Sequence, residues 1–276
     1  MTKTKINSLQ HSELGKHSSY KSEYDASLLF PLARKNKREE INITGDSPFT
    51  GSDILNAYEL SWLNPKGKPQ VAIGEFIIPC ESPQFIESKS LKLYLNSLND
   101  TKFTSKNTVR EQIATDLSTV CQANVDVTLS SVNDQPITQP NSSWQCLDAL
   151  DISVDNYEIQ PTILQTQGTP QTQKLYSHLL KSNCLVTGQP DWGSLFIEYH
   201  GAMIEPTALL QYIISFRHHN EFHEQCVERI FMDIKQQCQP EWLTVFARYT
   251  RRGGIDINPY RTNHQAAATN QRLARQ

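Results

Sequence analysis

A cysteine and an aspartate lie on either side of a turn-forming stretch in the second half of the chain. Cys184 ends one apolar-rich run and Asp191 precedes the next, with Gly188 and Pro190 between them. Such a turn brings both side chains to one end of a hairpin, on a loop held by two strands. A thiol there can serve as a nucleophile, and a nearby carboxyl can give or accept a proton. A packing cysteine followed by a Pro-Asp turn explains the same pattern, because free cysteine often packs as a small hydrophobe.

A second polar cluster, Arg-His-His-Asn-Glu-Phe-His-Glu at residues 217–224, joins two predicted helices. His219 and His223 have the four-residue spacing of zinc ligands on one helical face, but Asn220 stands where a metalloprotease motif has Glu. In a second interpretation, His223 and Glu224 open the second helix and bind a polar ligand, since a carboxylate accepts N–H groups from a heterocycle. A solvated loop with incidental histidines is equally open.

Two further clusters combine cationic side chains with accessible backbone. Residues 86–92, Ile-Glu-Ser-Lys-Ser-Leu-Lys, open a predicted helix. Its free N–H groups and lysines suit an anion such as a phosphate, although an ordinary capped helix start has the same composition. Residues 251–254, Arg-Arg-Gly-Gly, follow the last predicted strand, and the glycines allow close approach to a group that the arginines hold. Neither a GxGxxG nor a Walker motif occurs, so a Rossmann or P-loop site is not expected.

The elements that must position these clusters occur twice along the chain. Four positions of block one match block two at a constant offset of 118, namely Glu87 with Glu205, Leu91 with Leu209, Tyr94 with Tyr212, and Ser97 with Ser215. Asp116 and Cys121 match Asp233 and Cys238 at an offset of 117. Constant offsets indicate a duplicated domain. Block one has Asn64-Pro65 in the place of Asn183-Cys184, which pairs Pro65 with Cys184 and indicates that the fold does not need the thiol.

Each block is predicted to be α+β, with a strand hairpin, two helices and a further strand that form an antiparallel sheet with helices on one face. The predicted elements are strands at 57–63, 70–78, 125–129, 175–184, 194–199 and 242–249, and helices at about 91–98, 108–120, 208–216 and 222–237. We therefore divide the chain into an N-terminal extension (1–45), a domain (46–132), a Pro-, Gln- and Thr-rich linker with one strand near 152–159 (133–172), and a second domain (173–276).

The composition is that of an ordinary globular protein. Lys and Arg number 26 and Asp and Glu 29, so the net charge of −3 argues against binding to nucleic acid mainly through phosphate neutralisation. No stretch approaches the ~20 apolar residues of a membrane span, and the polar N-terminus has no signal-peptide core. The six cysteines form no CxxC pair, which favours reduced thiols and a cytoplasmic protein.

Taken together, the four clusters resemble the motifs of the NADPH-dependent 7-cyano-7-deazaguanine (preQ0) reductases of queuosine biosynthesis, in their longer two-domain form. The resemblance covers about residues 54–264 and rests on residues 87–92, 182–184 with 191–193, 222–224 and 252–254. It implies two tandem tunnelling-fold (T-fold) domains and a homodimer. The implied reaction reduces the preQ0 nitrile to the primary amine of 7-aminomethyl-7-deazaguanine (preQ1) with two NADPH.

The resemblance also implies a role for each cluster. Cys184 is the nucleophile that forms a thioimide with the nitrile, and Asp191 is the proton donor. The implied substrate contacts are Ile86, Glu87, Ser88, His223 and Glu224. The implied NADPH contacts are Ser88, Lys89, Arg252 and Gly253, with Lys92 as a further phosphate ligand, and no metal is implied. The short single-domain members carry the Glu-Ser-Lys-Ser motif and the cysteine in one unit, whereas here the two blocks share them.

Three other functions fit parts of the pattern. A zinc-dependent pterin-type cyclohydrolase, related to GTP cyclohydrolase, uses His219, His223 and a cysteine as ligands. A cysteine hydrolase adds water to the thioimide, but it has no use for the Lys89 and Arg252 clusters. A base-binding module without catalysis is disfavoured by the acidic balance and by the presence of Cys184 in one block alone.

Overall fold

The computed structural model describes residues 21–134, 137–264 and 269–276. The predicted N-terminal extension at 1–45 thus lies partly outside the described residues. Up to residue 134 the elements are β1 (Pro31–Ala33), α1 (Arg34–Glu39), β2 (Thr50–Leu63), β3 (Pro69–Pro79), β4 (Gln84–Ile86), α2 (Ser88–Asn96), α3 (Lys106–Cys121) and β5 (Asp126–Ser130). Thereafter they are β6 (Ile137–Thr138), β7 (Gln145–Cys146), β8 (Thr166–Asn183), β9 (Pro190–Ile204), α4 (Pro206–Ser215), α5 (His223–Cys238), β10 (Trp242–Tyr249), β11 (Ile255–Thr262) and β12 (Arg272–Leu273).

The chain forms two compact units, each assembled from separate stretches of sequence. Of the described residues, unit 1 contains 21–37, 54–134 and 251–256, and unit 2 contains 38–53, 137–250, 257–264 and 269–276. The domains drawn from the sequence, 46–132 and 173–276, are continuous, and their boundaries stay a prediction. Over the described residues, every helix is too short or too polar to cross a membrane.

Unit 1 has the predicted hairpin, helix pair and closing strand. The sheet order is β5-β3-β2, and β3 pairs antiparallel with β5, with Phe76 opposite Val127. The turn between β2 and β3 is closed by the main-chain amide of Asn64, which donates to the Lys68 carbonyl at 3.0 Å. Helices α2 and α3 bury their apolar faces, with Leu91 and Leu117 fully enclosed. The α+β character with an antiparallel sheet is therefore confirmed for this unit.

Unit 2 repeats the arrangement with longer strands. Its order is β11-β10-β9-β8-β7, and β9 pairs antiparallel with both β8 and β10. Helix α5 has a broad apolar face, with Cys226, Ile230, Phe231 and Ile234 buried. Strand β7 adds to β8 in parallel, and β12 pairs in parallel with β6. This unit too is α+β with an antiparallel sheet at its centre.

Three sequence expectations about strands are wrong. Residues 152–159 form no strand, although side chains along them alternate between exposed and half-buried. An extended segment alternates whether or not a strand pairs with it, and here the Ser153 carbonyl instead accepts from the Gln211 side chain. Strand β8 begins at Thr166, inside the predicted linker, because its first seven residues are exposed and show no apolar alternation. Strand β11 was missed because polar residues interrupt its fully buried run.

The internal repeat is visible in the contacts of both units. Glu87 and Glu205 each cap a helix through main-chain amides. The Tyr94 hydroxyl donates to Asp116 and that of Tyr212 to Asp233, both at 2.6 Å. At the ends of α3 and α5, Gln122 and Gln239 both adopt the left-handed conformation that closes a helix. The positions that matched in sequence therefore carry the same structural tasks.

Part of the predicted linker belongs to this repeat. In unit 1 a single turn of 3-10 helix at Ala26–Leu28 is followed by a buried leucine, and the Phe30 carbonyl then accepts from the Glu87 amide at 2.9 Å. In unit 2 the same turn occurs at Pro161–Ile163, and the Gln165 carbonyl accepts from the Glu205 amide at 2.9 Å. The stretch around 160–165 is thus the counterpart of the N-terminal segment.

We expect Tyr212→Phe to lower the free energy of unfolding by about 1–3 kcal/mol, because the half-buried Asp233 carboxylate then loses its hydroxyl donor. Tyr94→Phe is the matched control, and its loss should be smaller since Asp116 keeps donors from Tyr24 and Gln112. Burial already raises the pKa of Asp233, so the penalty on its charged form should fade as the pH falls and the carboxyl is protonated. Urea unfolding of both variants at neutral and acidic pH measures this, and equal losses would contradict it.

Candidate functional site

Cys184 begins the turn between β8 and β9. Its amide donates to the Gln189 carbonyl at 2.8 Å, and its carbonyl accepts from the Gly188 amide at 3.0 Å. Gly188 has a positive φ of 66°, which a glycine adopts without strain. The thiol is half-buried, and Asp191 lies opposite Ser182 in the strand pairing. The hairpin that was predicted to bring Cys184 and Asp191 to one end is confirmed.

The residue before the cysteine is held by the segment between α4 and α5. The Asn183 amide donates to the His219 carbonyl at 2.8 Å, and its carbonyl accepts from the Glu221 amide at 3.0 Å, forming a short parallel bridge. The Asn183 side chain donates to Asn220 at 3.0 Å and accepts from Lys181 at 2.6 Å. The main chain that leads into Cys184 is therefore fixed on both sides.

In unit 2 the buried Asp191 carboxylate lies beside the half-buried His223 ring. Asp191 is 4% exposed, and its Oδ2 lies 3.4 Å from Nε2 of His223. The His223 ring rests on the Tyr249 ring, with centroids 4.0 Å apart. Beneath Tyr249 lies Gly193, where an added Cβ would come within 3.2 Å of the phenol ring. A carboxyl and an imidazole are both side-chain types that donate or accept protons in catalysis.

Tyr249 packs against His223 and is not among the residues that the sequence predicts for the site. Its ring is enclosed, and burial, with the neighbouring Cys226 thiol as the next cause, raises the pKa of its hydroxyl well above the ordinary value. Burial likewise raises the pKa of Cys226 to about 12, with the Glu221 charge as the next cause. These two groups are therefore neutral packing partners at neutral pH. Tyr249 lies opposite Gly193 in the pairing of β10 with β9, and this pairing is what leaves room for its ring. The sequence alone does not show which strand residues lie opposite each other.

Glu224 lies in the first turn of α5 and is 5% exposed. The helix N-terminus favours a negative charge there. A carboxylate that is buried in this way is suited to accept a pair of N–H groups from a planar heterocycle. His223 and Glu224 thus both open α5, as one of the sequence interpretations proposed.

The two histidines of the polar cluster contact different carboxylates. His219 Nε2 lies 3.2 Å from Glu221 Oε2, whereas His223 contacts Asp191. Throughout residues 21–134, 137–264 and 269–276, no three His, Cys, Asp or Glu side chains converge in a group that could hold a metal.

The Glu87 cluster opens α2 in unit 1. Glu87 is 1% exposed, and its carboxylate accepts from the amides of Lys89 at 2.7 Å and Ser90 at 2.8 Å. Burial raises the pKa of this carboxyl, although the two amides oppose the shift. Ile86 ends β4 and is buried, while Ser88 and Lys89 are partly exposed. Glu87 therefore caps the helix, which is the ordinary explanation of this motif. Its neighbours Ile86, Ser88 and Lys89 are also residues for which the resemblance implies ligand contacts.

Lys92 meets the glycine pair in the same unit. Gly253 has a φ of 56°, and any Cβ there would collide with the Lys92 side chain. Burial lowers the pKa of Lys92, and the nearby Arg252 guanidinium lowers it further, while Glu59 and Glu87 act in the opposite direction. Two cations beside an exposed glycine suit a phosphate, because an anion relieves their repulsion. The structure thus brings Lys92, Arg252 and Gly253 together, as the sequence analysis expected.

Comparison of the two units corrects the sequence alignment at the cysteine. In unit 1 the Leu63 amide donates to the Thr101 carbonyl and its carbonyl accepts from the Phe103 amide, both at 2.9 Å. This is the same parallel bridge that Asn183 makes in unit 2. Leu63 therefore matches Asn183, and Asn64 matches Cys184, so pairing Cys184 with Pro65 was wrong. The turn in unit 2 is one residue longer, a difference that strand pairing shows and residue offsets do not.

Both halves of the chain match sequence families of one kind of enzyme. Residues 20–129 match the family described as nitrile reductase, 7-cyano-7-deazaguanine-reductase N-term, and residues 190–268 match the family described as QueF-like protein. Among solved structures, the crystal structure of the archaeosine synthase QueF-Like in the apo form aligns at a TM-score of 0.31 and 14% identity. It covers 36% of this chain and 99% of that chain, a likeness too slight to bear on the fold.

Full-length relatives carry one name. The NADPH-dependent 7-cyano-7-deazaguanine reductase of Cupriavidus taiwanensis is 57% identical over 97% of this chain and 99% of its own length. Those of a Polaromonas species and of Hydrogenovibrio crunogenus are 53% and 52% identical, over 98% and 95% of this chain and 100% and 96% of their own lengths. The resemblance found in the motifs is confirmed: the chain belongs to the family of NADPH-dependent 7-cyano-7-deazaguanine reductases.

Proposed function

We propose that this chain reduces the nitrile of preQ0 to the amine of preQ1, with Cys184 as the covalent nucleophile. It is an NADPH-dependent nitrile reductase by family, and the names of its relatives disfavour the zinc cyclohydrolase. The observation that carries the mechanism is the placement of the thiol and of Asp191 at one end of the β8–β9 hairpin. Such an arrangement supplies a nucleophile and a proton at the two ends of one C≡N bond.

The chemistry balances with these groups. The Cys184 thiolate forms an S–C bond to the nitrile carbon, and the nitrogen takes a proton from Asp191, giving a thioimide. NADPH supplies two hydrides in turn, each to this carbon. After the first, the nitrogen is protonated again and the carbon–sulfur bond breaks, which releases the thiolate and leaves a protonated imine. The second converts the imine into the amine. His223, at 3.4 Å from Asp191, is placed to replace the proton that Asp191 has given.

The remaining roles are assigned to the clusters of each unit. Glu224 accepts hydrogen bonds from the deazaguanine edge, and His223 borders the same substrate. In unit 1, the proposed substrate contacts are Ile86, Glu87 and Ser88. Ser88, Lys89, Arg252 and Gly253 hold the dinucleotide, with Lys92 on a phosphate. What supports this last assignment is the pair of close cations beside a glycine that leaves its backbone accessible.

Architecture and context are also part of the proposal. The repeated caps, tyrosine–aspartate pairs and parallel bridges support two tandem T-fold domains. A homodimer in the cytoplasm, in the pathway to queuosine and without direct contact to nucleic acid, is what the family pattern implies. Sedimentation of the purified protein tests the dimer.

The function is tested by mixing the protein with preQ0 and measuring its intact mass. Addition of the thiol to the nitrile should raise the mass by that of preQ0, with a new near-ultraviolet absorbance. Addition of NADPH should then discharge the adduct and consume two NADPH for each amine formed. Turnover without any adduct, or a chelator-sensitive activity, would contradict the proposed mechanism.

We expect Lys92→Met to raise the KM for NADPH about tenfold, equivalent to about 1.4 kcal/mol, with kcat nearly unchanged. Lys66→Met, on the exposed β2–β3 turn, is the matched control and should change neither constant. Because the pKa of Lys92 is lowered, a fraction of the amine is neutral at alkaline pH, and an arriving phosphate should raise that pKa and draw in a proton. Calorimetric titrations in buffers of different ionisation enthalpy should therefore show proton uptake that Lys92→Met lacks. Uptake of the same size in the variant would contradict this role.

A further inference from the structure

An ion pair of the buried Glu221 with the half-buried Arg229 lies next to the segment that bridges to Asn183, the residue before Cys184. Glu221 is 2% exposed and receives three contacts from the Arg229 guanidinium, at 3.1, 3.1 and 2.6 Å. On its other side, His219 Nε2 lies 3.2 Å from Glu221 Oε2, close but not aligned as a hydrogen bond. None of the proposed steps uses Glu221 or Arg229.

The pair is coupled to Cys184 through the main chain. The Glu221 amide donates to the Asn183 carbonyl, and the Asn183 amide donates to the His219 carbonyl. Any shift of residues 219–221 is thus passed to Asn183 and to the next residue, Cys184. Because the Glu221 side chain is anchored on α5 through Arg229, the position of the thiol is tied to a rigid helix.

The fold does not require this ion pair. Unit 1 makes the same parallel bridge around Leu63, with Phe103 in the place of Glu221. Helices α3 and α5 both have 16 residues, and Gln112 is the seventh of α3 as Arg229 is the seventh of α5. Taking the Glu221 charge and part of the Arg229 charge out of water has a cost that their attraction must first repay, so such a pair is weak evidence for a stabilising role. The charged version occurs in the unit that carries the thiol.

We infer that Glu221 and Arg229 are positioning residues for Cys184. The inference rests on the proposed function of that cysteine. The ion pair fixes the position of the segment 219–221 relative to α5. The main-chain bridge from this segment to Asn183 then fixes the position of the next residue, Cys184. Attack on a nitrile carbon is sensitive to that position, since a misplacement of about 1 Å lowers a rate by roughly 100-fold.

The test compares Glu221→Gln and Arg229→Gln with the double variant Glu221→Phe/Arg229→Gln, whose residue types are those of the unit 1 bridge. We expect thioimide formation at saturating preQ0 to slow by roughly 30- to 100-fold in all three. Alkylation of Cys184 by iodoacetamide, followed on its peptide, should become faster because the loosened turn exposes the thiol. Cys146, which is exposed in unit 2, is the internal reference and should react at an unchanged rate.

The matched control is Arg38→Gln. It breaks a different ion pair of unit 2, that of Arg38 with Glu228 at 2.7 Å. It should lower the unfolding midpoint and leave both Cys184 rates unchanged. Adduct formation within threefold of wild type in the folded Glu221 and Arg229 variants would overturn the inference. If the wild type forms no adduct with preQ0, the proposed function fails instead. The inference is then judged by alkylation alone, and fails unless the Cys184 rate changes at least threefold.

Discussion

Cys184→Ala should lower the rate of NADPH oxidation with preQ0 by about 10⁴-fold or more, because the covalent route to the reduced carbon is lost. The variant should also form no adduct detectable by intact mass. Its stability should remain within about 1 kcal/mol of wild type, since the thiol is half-buried in a turn.

Cys184→Asn sharpens this experiment. Asn64 occupies the equivalent position in unit 1, where its amide closes the same turn as the Cys184 amide does. An asparagine is therefore compatible with this backbone, and the variant should be as stable as wild type and equally inactive. Adduct formation or NADPH oxidation at the wild-type rate in either variant would remove Cys184 from the mechanism.

Asp191→Asn should have the second-largest effect, a fall in kcat of about 10²- to 10⁴-fold, which is the usual contribution of a positioned general acid. The amide keeps the shape of the carboxyl and its place beside His223, but it cannot deliver a proton to the nitrile nitrogen. The dissociation constant of preQ0 should change little, so the loss should appear in kcat rather than in KM. The rate of thioimide formation, measured in a single turnover without NADPH, should fall by the same factor.

The control for this variant is Asp148→Asn. Asp148 is another carboxylate of unit 2, which accepts from the Ser177 hydroxyl at 2.6 Å on strand β8. Its loss should lower stability slightly and leave thioimide formation unchanged. A rate of thioimide formation near wild type in Asp191→Asn would show that the proton comes from another group.

The duplicated architecture separates structural from chemical positions within one chain. The groups found in both units are the helix-capping glutamates, the buried tyrosine–aspartate pairs and the parallel bridge. Cys184, Asp191, Glu221 and Arg229 lack chemical counterparts, since unit 1 has Asn64, Gln70, Phe103 and Gln112 at the matching places. The groups shared by both copies have a structural task in each unit, and the groups that differ are free to serve the reaction.

Much of the secondary structure followed from periodicity. The predicted strand at 242–249 is β10 residue for residue, and the predicted helices at 108–120 and 222–237 lie within one or two residues of α3 and α5. The two helices bury apolar residues at helical spacing, and β10 is a short, largely apolar run, so the residue types alone indicate all three elements. Strand β11 is fully buried yet contains Asp256, Asn258 and Arg261. Their polar groups are satisfied by tertiary contacts such as that of Arg261 with Glu228, which no local pattern reveals.

The sequence by itself determined the motifs, the repeat and the family, because each depends on residue types in a fixed order. The nucleophile and its carboxyl were identifiable in this way, since a short hairpin turn brings its two ends together whatever surrounds it. Only the tertiary structure decided that Asn64 is the counterpart of Cys184 and that Tyr249 packs against His223. It also decided that Glu221, paired with Arg229, bridges to Asn183, the residue before the thiol. The physical reason is that these relations join residues far apart in the chain, and strand register and helix packing, not spacing, set such contacts.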